Sequence, residues 1–267
     1  VAHFDNVFVP YDRVFIDGEF EAAHLMTTNY ATHHRHSCIG ARAGFGDLLI
    51  GAGAMMAQAN GLDYEKTPHL REKMVDLIKI TEGFYACGIA ASTMGELDPA
   101  GNYRPDRIYS NIGKLLLASQ IYDMHRLAHD VSGGLVVALP SPEEDHNPET
   151  APMLNDLLRG NPEVSYEHRA NVARFIEDLT ASETGGWYSV ISMHGGGSPE
   201  AMKLEVLRNY DVEARSELVQ ALFDRDALDM GKGLKADRQP GRCCPAGCGG
   251  DELVKTNARN IDDKNKI

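Results

Sequence analysis

The first sixteen residues restrict the fold most, because nothing after them has the composition of a β-strand. Val1–Ile16 is rich in Val and Phe, with a turn signal at Asp5-Asn6 and a strand breaker at Pro10. This pattern predicts two short strands, or one strand and an extended arm. A strand pair alone is not stable, so we expect its partner strands on a segment that precedes Val1. The rest of the chain must fold mainly as helices.

Apolar residues recur at helical spacing along most of the remaining chain. The clearest helix start is Thr67-Pro68, with Thr as the N-cap and Pro in the first turn. The clearest helix end is Gly133-Gly134. The predicted helices cover residues 18–62, 68–93, 105–131, 166–193 with an interruption at Gly185-Gly186, 199–210 and 212–223, with Ser165, Ser198 and Asp211 as further caps. We also expect a short helix near Met153–Leu158.

The first predicted helix is unusually rich in glycine, which is unfavourable inside helices. The glycines concerned are Gly40, Gly44, Gly46, Gly51 and Gly53. Small side chains let two helix axes approach closely, so tight helix–helix packing is one interpretation. Close approach to a ligand is the other.

These patterns predict a mainly α fold, an up-down helical bundle with a short β remnant at the N-terminus. We expect residues 1–17 to be the end of a β domain and residues 18–229 to form the bundle. Residues 230–267 are rich in Cys, Gly, Lys and Asp, which predicts a flexible tail.

Charge and cysteine content narrow the possible partners. A net charge of −13 repels phosphate backbones, so we expect no nucleic-acid partner. No run of about 18 apolar residues is present, so we expect no membrane-spanning helix. The odd number of cysteines, 5, argues against a disulfide framework and predicts a reducing, cytoplasmic compartment.

The densest polar cluster in the sequence is Tyr30–Cys38. His34 and Cys38 are four residues apart and would share one face of a helix. A thiol and an imidazole can bind a metal, but two ligands do not make a site. A solvated or capping histidine cluster is the alternative. The tail cysteines Cys243, Cys244 and Cys248 match no four-ligand spacing, so we predict no metal site.

Two glycine segments could approach a cofactor. Gly195–Gly197, followed by Ser198-Pro199, offers backbone N–H groups at the start of a helix, which suits phosphate or a flavin diphosphate. A simple interhelical turn explains the same residues. Gly133-Gly134 is either a simple C-cap or a second place where the backbone reaches a cofactor.

Several of these segments, in order, resemble the family of 4-hydroxybutyryl-CoA dehydratases and 4-hydroxyphenylacetate 3-hydroxylases. The matching segments are 4–10, 12–15, His34-Arg35 with Ser37, Gly46-Asp47, 50–52, 85–90, 100–103, 133–135, 192–195 and 197–199. The resemblance extends over about Val1 to Phe223. It implies an acyl-CoA dehydrogenase-like fold, of which this chain would hold the end of the β domain and the C-terminal helical bundle.

The family resemblance also implies a cofactor and an assembly. Its members hold FAD between the β domain and the bundles of two subunits of a tetramer. His34 is the expected catalytic residue. The expected cofactor-binding residues are Arg42, Gly133, Gly134, His194, Gly195, Gly196 and Gly197.

Three positions depart from the dehydratase pattern. The resemblance places an iron–sulfur cysteine ligand at Ala41, a catalytic tyrosine at Cys38 and a catalytic glutamate at Ile191. His34 matches the histidine ligand, and Cys38 could substitute for the missing thiolate. The dehydration chemistry needs the cluster as a Lewis acid and those proton carriers, so these positions put it in doubt.

We therefore expect the C-terminal part of an FAD-dependent enzyme that acts on a CoA thioester without an iron–sulfur cluster. A reduced-flavin-dependent aromatic monooxygenase acting on a phenol is the first alternative. A non-catalytic helical assembly fragment is the second.

Overall fold

The computed structural model describes residues 1–223, and the predicted flexible tail at 230–267, with its three cysteines, lies outside them. Nine α-helices are described. They are α1 (Phe20–Ala59), α2 (Pro68–Thr93), α3 (Arg107–Ser132), α4 (Leu135–Ala138), α5 (Ala151–Leu157), α6 (Tyr166–Thr180), α7 (Glu183–His194), α8 (Pro199–Asn209) and α9 (Glu213–Phe223). The predicted mainly helical fold is confirmed.

The N-terminal segment forms no strand, so the prediction of strands within Val1–Ile16 is wrong. Only a 3-10 turn at Tyr11–Arg13 is regular, and Phe4, Phe8 and Phe15 are exposed. The physical reason is that a strand needs a hydrogen-bonded neighbour, and residues 1–223 offer none to this segment. The assignment of residues 1–17 to a β domain stays a prediction.

The two strands that the structure describes lie between α2 and α3. Strands β1 (Glu96–Leu97) and β2 (Tyr103–Arg104) pair antiparallel. In the polar loop between them, the Asp98 carboxylate accepts hydrogen bonds from the backbone of Ala100 and Asn102. Sequence analysis missed the strands, which are too short to show a period.

Helices α1 and α2 run antiparallel, and glycines set their separation. A Cβ on Gly46 would stand 2.4 Å from Thr81 Oγ1, and one on Gly88 would stand 2.8 Å from Ile39 Cγ2. Gly53 similarly faces Met74. The prediction of close helix packing is confirmed for Gly46 and Gly53. Gly40, Gly44 and Gly51 have nothing within 4 Å of a Cβ position.

Helix α3 packs against α1, α2, α6, α7 and α8, and it is the central helix of the bundle. Its N-cap is Asp106, whose carboxylate accepts from Tyr109 N, and Gly133 ends it at φ +76. The core around it combines residues of α1, α2, α3, α4 and α6. It includes Ile39, Leu49, Met56, Leu77, Phe84, Leu117, Ile121, Met124, Val136, Val172 and Ile176.

The predicted interruption at Gly185-Gly186 is wrong, because the break between α6 and α7 falls at Ala181-Ser182. Ser182 Oγ accepts from Gly185 N and caps α7, so both glycines lie inside that helix. Gly185 permits a close approach to the preceding helix, since a Cβ at this position would stand 2.8 Å from the backbone of Leu179.

Of the four predicted caps, Ser165, Ser198 and Asp211 accept their hydrogen bonds, and Thr67 does not. Ser165 and Ser198 accept from the third residue of α6 and α8. Thr67 precedes α2, but its side chain makes no capping bond. Within residues 1–223, no helix is both long and apolar enough to span a bilayer.

The structure divides after Tyr210 into two compact units. The first is Val1–Tyr210. The second begins at Asp211, and its described part is α9, where the Asp211 carboxylate accepts from Ala214 N as predicted.

Candidate functional site

His34 and Cys38 lie one turn apart on the same face of α1, as their spacing predicts. His34 Nδ1 is 3.4 Å from Cys38 Sγ. Both side chains are half-buried. The pair therefore combines an acid–base group with a thiol at hydrogen-bonding distance.

The turn Gly195–Gly197 joins α7 to α8 and lies against this part of α1. Gly196 and Gly197 have φ values of +79 and +104, a region that favours glycine. A Cβ on Gly196 would stand only 2.8 Å from His34 Nδ1. The structure therefore brings together the predicted catalytic histidine and one of the two predicted glycine segments.

Arg35 connects this turn to the rest of the bundle through hydrogen bonds. Its Nε donates to Gly196 O at 2.9 Å, and its Nη1 donates to Asn111 Oδ1 on α3 at 2.6 Å. The side chain is buried, and burial lowers the pKa of the guanidinium, which Glu205 partly opposes. Arg35 thus ties α1, α3 and the glycine turn together.

Arg42 lies two turns further along α1 on the same side. Its Nε donates to Ser192 Oγ in the last turn of α7 at 2.6 Å. Its Cζ atom stands 3.6 Å above the ring of Tyr188, a cation–π contact. Within residues 1–223 no hydrogen bond engages its Nη atoms, and they are not fully buried.

Lys114 of α3 is fully buried beneath the same cluster, and its Nζ donates to Ser192 O. Burial lowers the pKa of its ammonium group from 10.5 to about 8; Cys38 acts in the opposite direction, while Arg42 and Arg35 lower it further. None of the ion pairs formed within residues 1–223 includes Lys114, Arg35 or Arg42. The site therefore holds three cations, on one of which, Arg35, Glu205 acts without forming an ion pair.

The second predicted glycine segment lies elsewhere. Gly133 and Gly134 are exposed, with nothing within 4 Å of a Cβ position on either. The sequence separation of Lys114 and Gly133 along α3 corresponds to roughly 28 Å at 1.5 Å per residue. The two glycine segments therefore do not meet within one chain. The side chain of His194 is exposed at the end of α7.

Within residues 1–223, no three His, Cys, Asp or Glu side chains group closely enough to hold a metal ion. His34 and Cys38 remain a pair, and Ala41, one turn further on, is exposed and offers no ligand atom. Cys38 and Cys87 are free thiols.

Sequence analysis missed several polar residues of this site. They are Asn111, Lys114, Tyr188, Ser192 and Arg35, whose hydrogen bonds to the glycine turn and to α3 were not predicted. The signal for Arg35 and Arg42 was their spacing of two helical turns on a helix with a buried face. Lys114 gave no signal, because a lysine in a helix is usually solvated.

Comparison with known proteins identifies relatives for most of the chain. A sequence model of the family described as 4-hydroxyphenylacetate 3-hydroxylase C terminal matches residues 23–224. The chain is 36% identical over 228 residues to 4-hydroxybutyryl-CoA dehydratase/vinylacetyl-CoA-Delta-isomerase of Clostridium aminobutyricum, covering 82% of this chain and 46% of that protein. It is 24% identical to the oxygenase component of 4-hydroxyphenylacetate 3-monooxygenase of Thermus thermophilus, covering 87% and 48%.

Comparison with solved structures finds the same two kinds of protein. An oxygen-tolerant 4-hydroxybutyryl-CoA dehydratase from N. maritimus superposes with a TM-score of 0.77 at 36% identity, covering 82% of this chain and 43% of that one. The oxygenase component of a 4-hydroxyphenylacetate 3-monooxygenase complexed with FAD gives 0.73 at 22% identity, covering 84% and 47%, which shows the fold alone. The predicted bundle type is confirmed.

These matches confirm the resemblance seen in the sequence motifs. The chain spans about half the length of the curated relatives it matches. Because the family match covers residues 23–224, this chain belongs to the 4-hydroxyphenylacetate 3-hydroxylase C-terminal family.

Proposed function

We propose that this chain is the helical-bundle part of an FAD-dependent enzyme that acts on a CoA thioester, with His34 as its proton-transferring residue. The observation that carries the proposal is the contact between His34 and the Gly195–Gly197 turn above three buried cations. An imidazole beside positive charge suits proton transfer next to a thioester carbonyl, where negative charge develops.

The substrate class rests on the order of similarity among the relatives. The relative at 36% identity is named for reactions of CoA thioesters, whereas the monooxygenase relatives share 21–25%. A thioester is also compatible with Arg42, whose Nη atoms make no hydrogen bond among the described residues and would stabilise an oxyanion at the thioester carbonyl.

The residues fit an anionic cofactor such as FAD. Arg35, Arg42 and Lys114 form no ion pair among the described residues, and Glu205 acts on Arg35 only from a longer distance. Arg42 has Nη atoms available for a phosphate or a flavin ring, and the glycine turn adds no side chain that would block approach. Arg42, His194 and Gly195–Gly197 would hold one part of the cofactor.

Gly133 and Gly134 are too far from the Gly195–Gly197 turn of the same chain for both segments to contact one end of the same flavin. They would instead contact the flavin held by the turn of a second chain. Gly133 lies roughly 28 Å along α3 from Lys114, which contacts the end of α7, and this distance supports self-association, in which each flavin contacts two chains. We propose a tetramer, as the family resemblance implies. The free thiols Cys38 and Cys87 are compatible with a reducing, cytoplasmic location.

When bound, FAD would supply the exchange of an electron pair with the substrate. His34 Nδ1 faces Cys38 Sγ and the glycine turn, so proton transfer with the substrate would use Nε2. Arg35 keeps the turn beside the imidazole, and Arg42 supplies positive charge. Packing of α1 against this turn would limit the access of water to His34.

The residues that the structure describes, 1–223, do not fit an iron–sulfur cluster. His34 and Cys38 provide two ligand atoms, and Ala41 provides none where the dehydratase pattern has a cysteine. The proposed proton transfer therefore uses no iron–sulfur cluster. Four irons per subunit in the purified full-length protein would overturn this part of the proposal.

Spectroscopy of the full-length protein tests the cofactor. We expect a flavin spectrum without the broad iron–sulfur absorption, and thermal stabilisation by CoA thioesters but not by phenols. Stabilisation by phenols alone would replace the thioester proposal with the monooxygenase alternative, which the lack of a cysteine at Ala41 also suits. If the full-length protein retains no flavin, only the second alternative remains, a non-catalytic helical assembly fragment.

Substitution of His34 tests the proton transfer. His34→Ala should lower kcat by about 100-fold or more, the usual contribution of a general acid or base. His33→Ala, one residue away on the exposed side of α1, is the matched control and should turn over normally. Equal turnover of the two variants would remove His34 from the mechanism.

A further inference from the structure

The end of α7 presents backbone carbonyls that the helix itself cannot satisfy. Ser192 O lies in this last turn and accepts from the buried ammonium of Lys114. Gly196 O, in the turn that follows, accepts from Arg35 Nε. Cations are favourable at a helix C-terminus, so α7 provides the partial negative charge that these buried cations face.

Keeping Lys114 charged in this place is unfavourable for folding. Its side chain is fully buried, and burial lowers the pKa of the ammonium group to about 8, with opposition from Cys38 and reinforcement from Arg42 and Arg35. A methionine would fill a similar volume without that penalty. Packing alone therefore does not account for a lysine here.

We propose that Lys114 is a positioning residue, which holds the end of α7 through Ser192 O and thereby keeps the Gly195–Gly197 turn against His34. Three contacts hold the turn and the end of α7: Arg35 of α1 binds Gly196 O, Lys114 of α3 binds Ser192 O, and Arg42 of α1 binds Ser192 Oγ. Lys114 is the anchor that comes from α3. Only the consequence for turnover rests on the proposed function.

Hydrogen exchange of the 267-residue chain tests the proposal without a substrate. In Lys114→Met, amides of a peptide covering residues 193–198 should exchange about tenfold faster, the effect of losing one hydrogen bond to a charged group. The thermal midpoint should stay equal or rise. Lys73→Met on α2, which removes a partly exposed lysine paired with Asp130, is the matched control and should leave that peptide unchanged.

Three outcomes decide the matter. Faster exchange confined to the turn, with an undiminished thermal midpoint, supports a positioning role. Unchanged exchange in the turn overturns it. Faster exchange throughout α3 and α7, with a lower midpoint, also overturns it, because Lys114 would then be a general stabilising residue.

A second variant keeps the proposal testable if Lys114→Met does not fold. Lys114→Gln retains a neutral donor, and we expect its turn to exchange at a rate between those of the wild type and of a fully released turn. In the full-length enzyme, either variant should lower kcat more than it raises KM. A released turn in a protein that binds no flavin would sink the proposed function while leaving this inference standing.

Discussion

Gly196 lies so close to His34 that a Cβ on the glycine would stand 2.8 Å from the imidazole Nδ1. Gly196→Ala must therefore move either the turn or the histidine, and its φ of +79 adds backbone strain. We expect a loss of about 1–3 kcal/mol in the free energy of unfolding, measured with urea. Turnover of the full-length enzyme should fall with it.

Gly186→Ala is the control for that substitution. Gly186 lies inside α7, exposed, with nothing within 4 Å of a Cβ position. Alanine there should stabilise the chain by about 0.5–1 kcal/mol, because it has the higher helix propensity. Equal effects of the two substitutions would contradict the close contact at Gly196.

Arg35 is the second target, because it joins α1 to both α3 and the glycine turn. Arg35→Ala leaves Asn111 Oδ1 and Gly196 O without their donors. We expect a loss of about 3 kcal/mol in unfolding free energy. Arg126→Ala, which breaks only exposed contacts to Asp123 and Asp130, should cost less than about 0.5 kcal/mol. A similar cost for both would show that the buried contacts contribute little.

The helices could be predicted from the sequence because their ends carry local signals. Pro and Ser at N-termini and Gly133 at a C-terminus act through neighbouring backbone groups, and the structure places these ends within a few residues of the prediction. The break before α7 was misplaced because Gly185 serves close packing against Leu179, a tertiary contact that local pattern does not reveal.

The site was predictable only in part. The spacing of His34 and Cys38 is local, and so is the glycine turn. Their contact is not, since Arg35 and Gly196 are 161 residues apart in the sequence. Lys114 was missed for a different reason, because its burial against Ser192 depends on how α3 and α7 pack. Separation of the two glycine segments also required the three-dimensional arrangement.

Gly46 provides a test of packing away from the site. Gly46→Ala would place a Cβ 2.4 Å from Thr81 Oγ1, and we expect it to cost about 1–3 kcal/mol in unfolding free energy. Thr81 Oγ1 is buried without a hydrogen-bond partner among the described residues, so Thr81→Ala removes both the clash and an unsatisfied group. The double variant should therefore be more stable than the additive sum of the two single variants, by at least about 0.5 kcal/mol. Strict additivity would contradict the contact.

His125 should make the stability of the chain depend on pH. It is buried beside Phe45 and Tyr122, and its Nε2 has no hydrogen-bond partner within residues 1–223. Burial lowers the pKa of its imidazole from 6.5 to about 4, and His129 lowers it further. Between these values the unfolded chain binds a proton that the folded chain does not, so stability is present above pH 6.5 and is lost as the pH falls towards 4.

Urea unfolding at pH 7, 6 and 5 measures this loss, which should reach about 2 kcal/mol between pH 6.5 and 5. His125→Phe keeps an aromatic ring in the same place without a titrating nitrogen, so most of the pH dependence in that window should disappear. His168→Asn, on the exposed surface of α6, is the control and should retain it. If His125→Phe loses stability with acid as steeply as the wild type, buried neutral His125 is not its source. Other groups would then cause the loss of stability in acid. His129 would be the next residue to mutate, because burial also lowers the pKa of its imidazole.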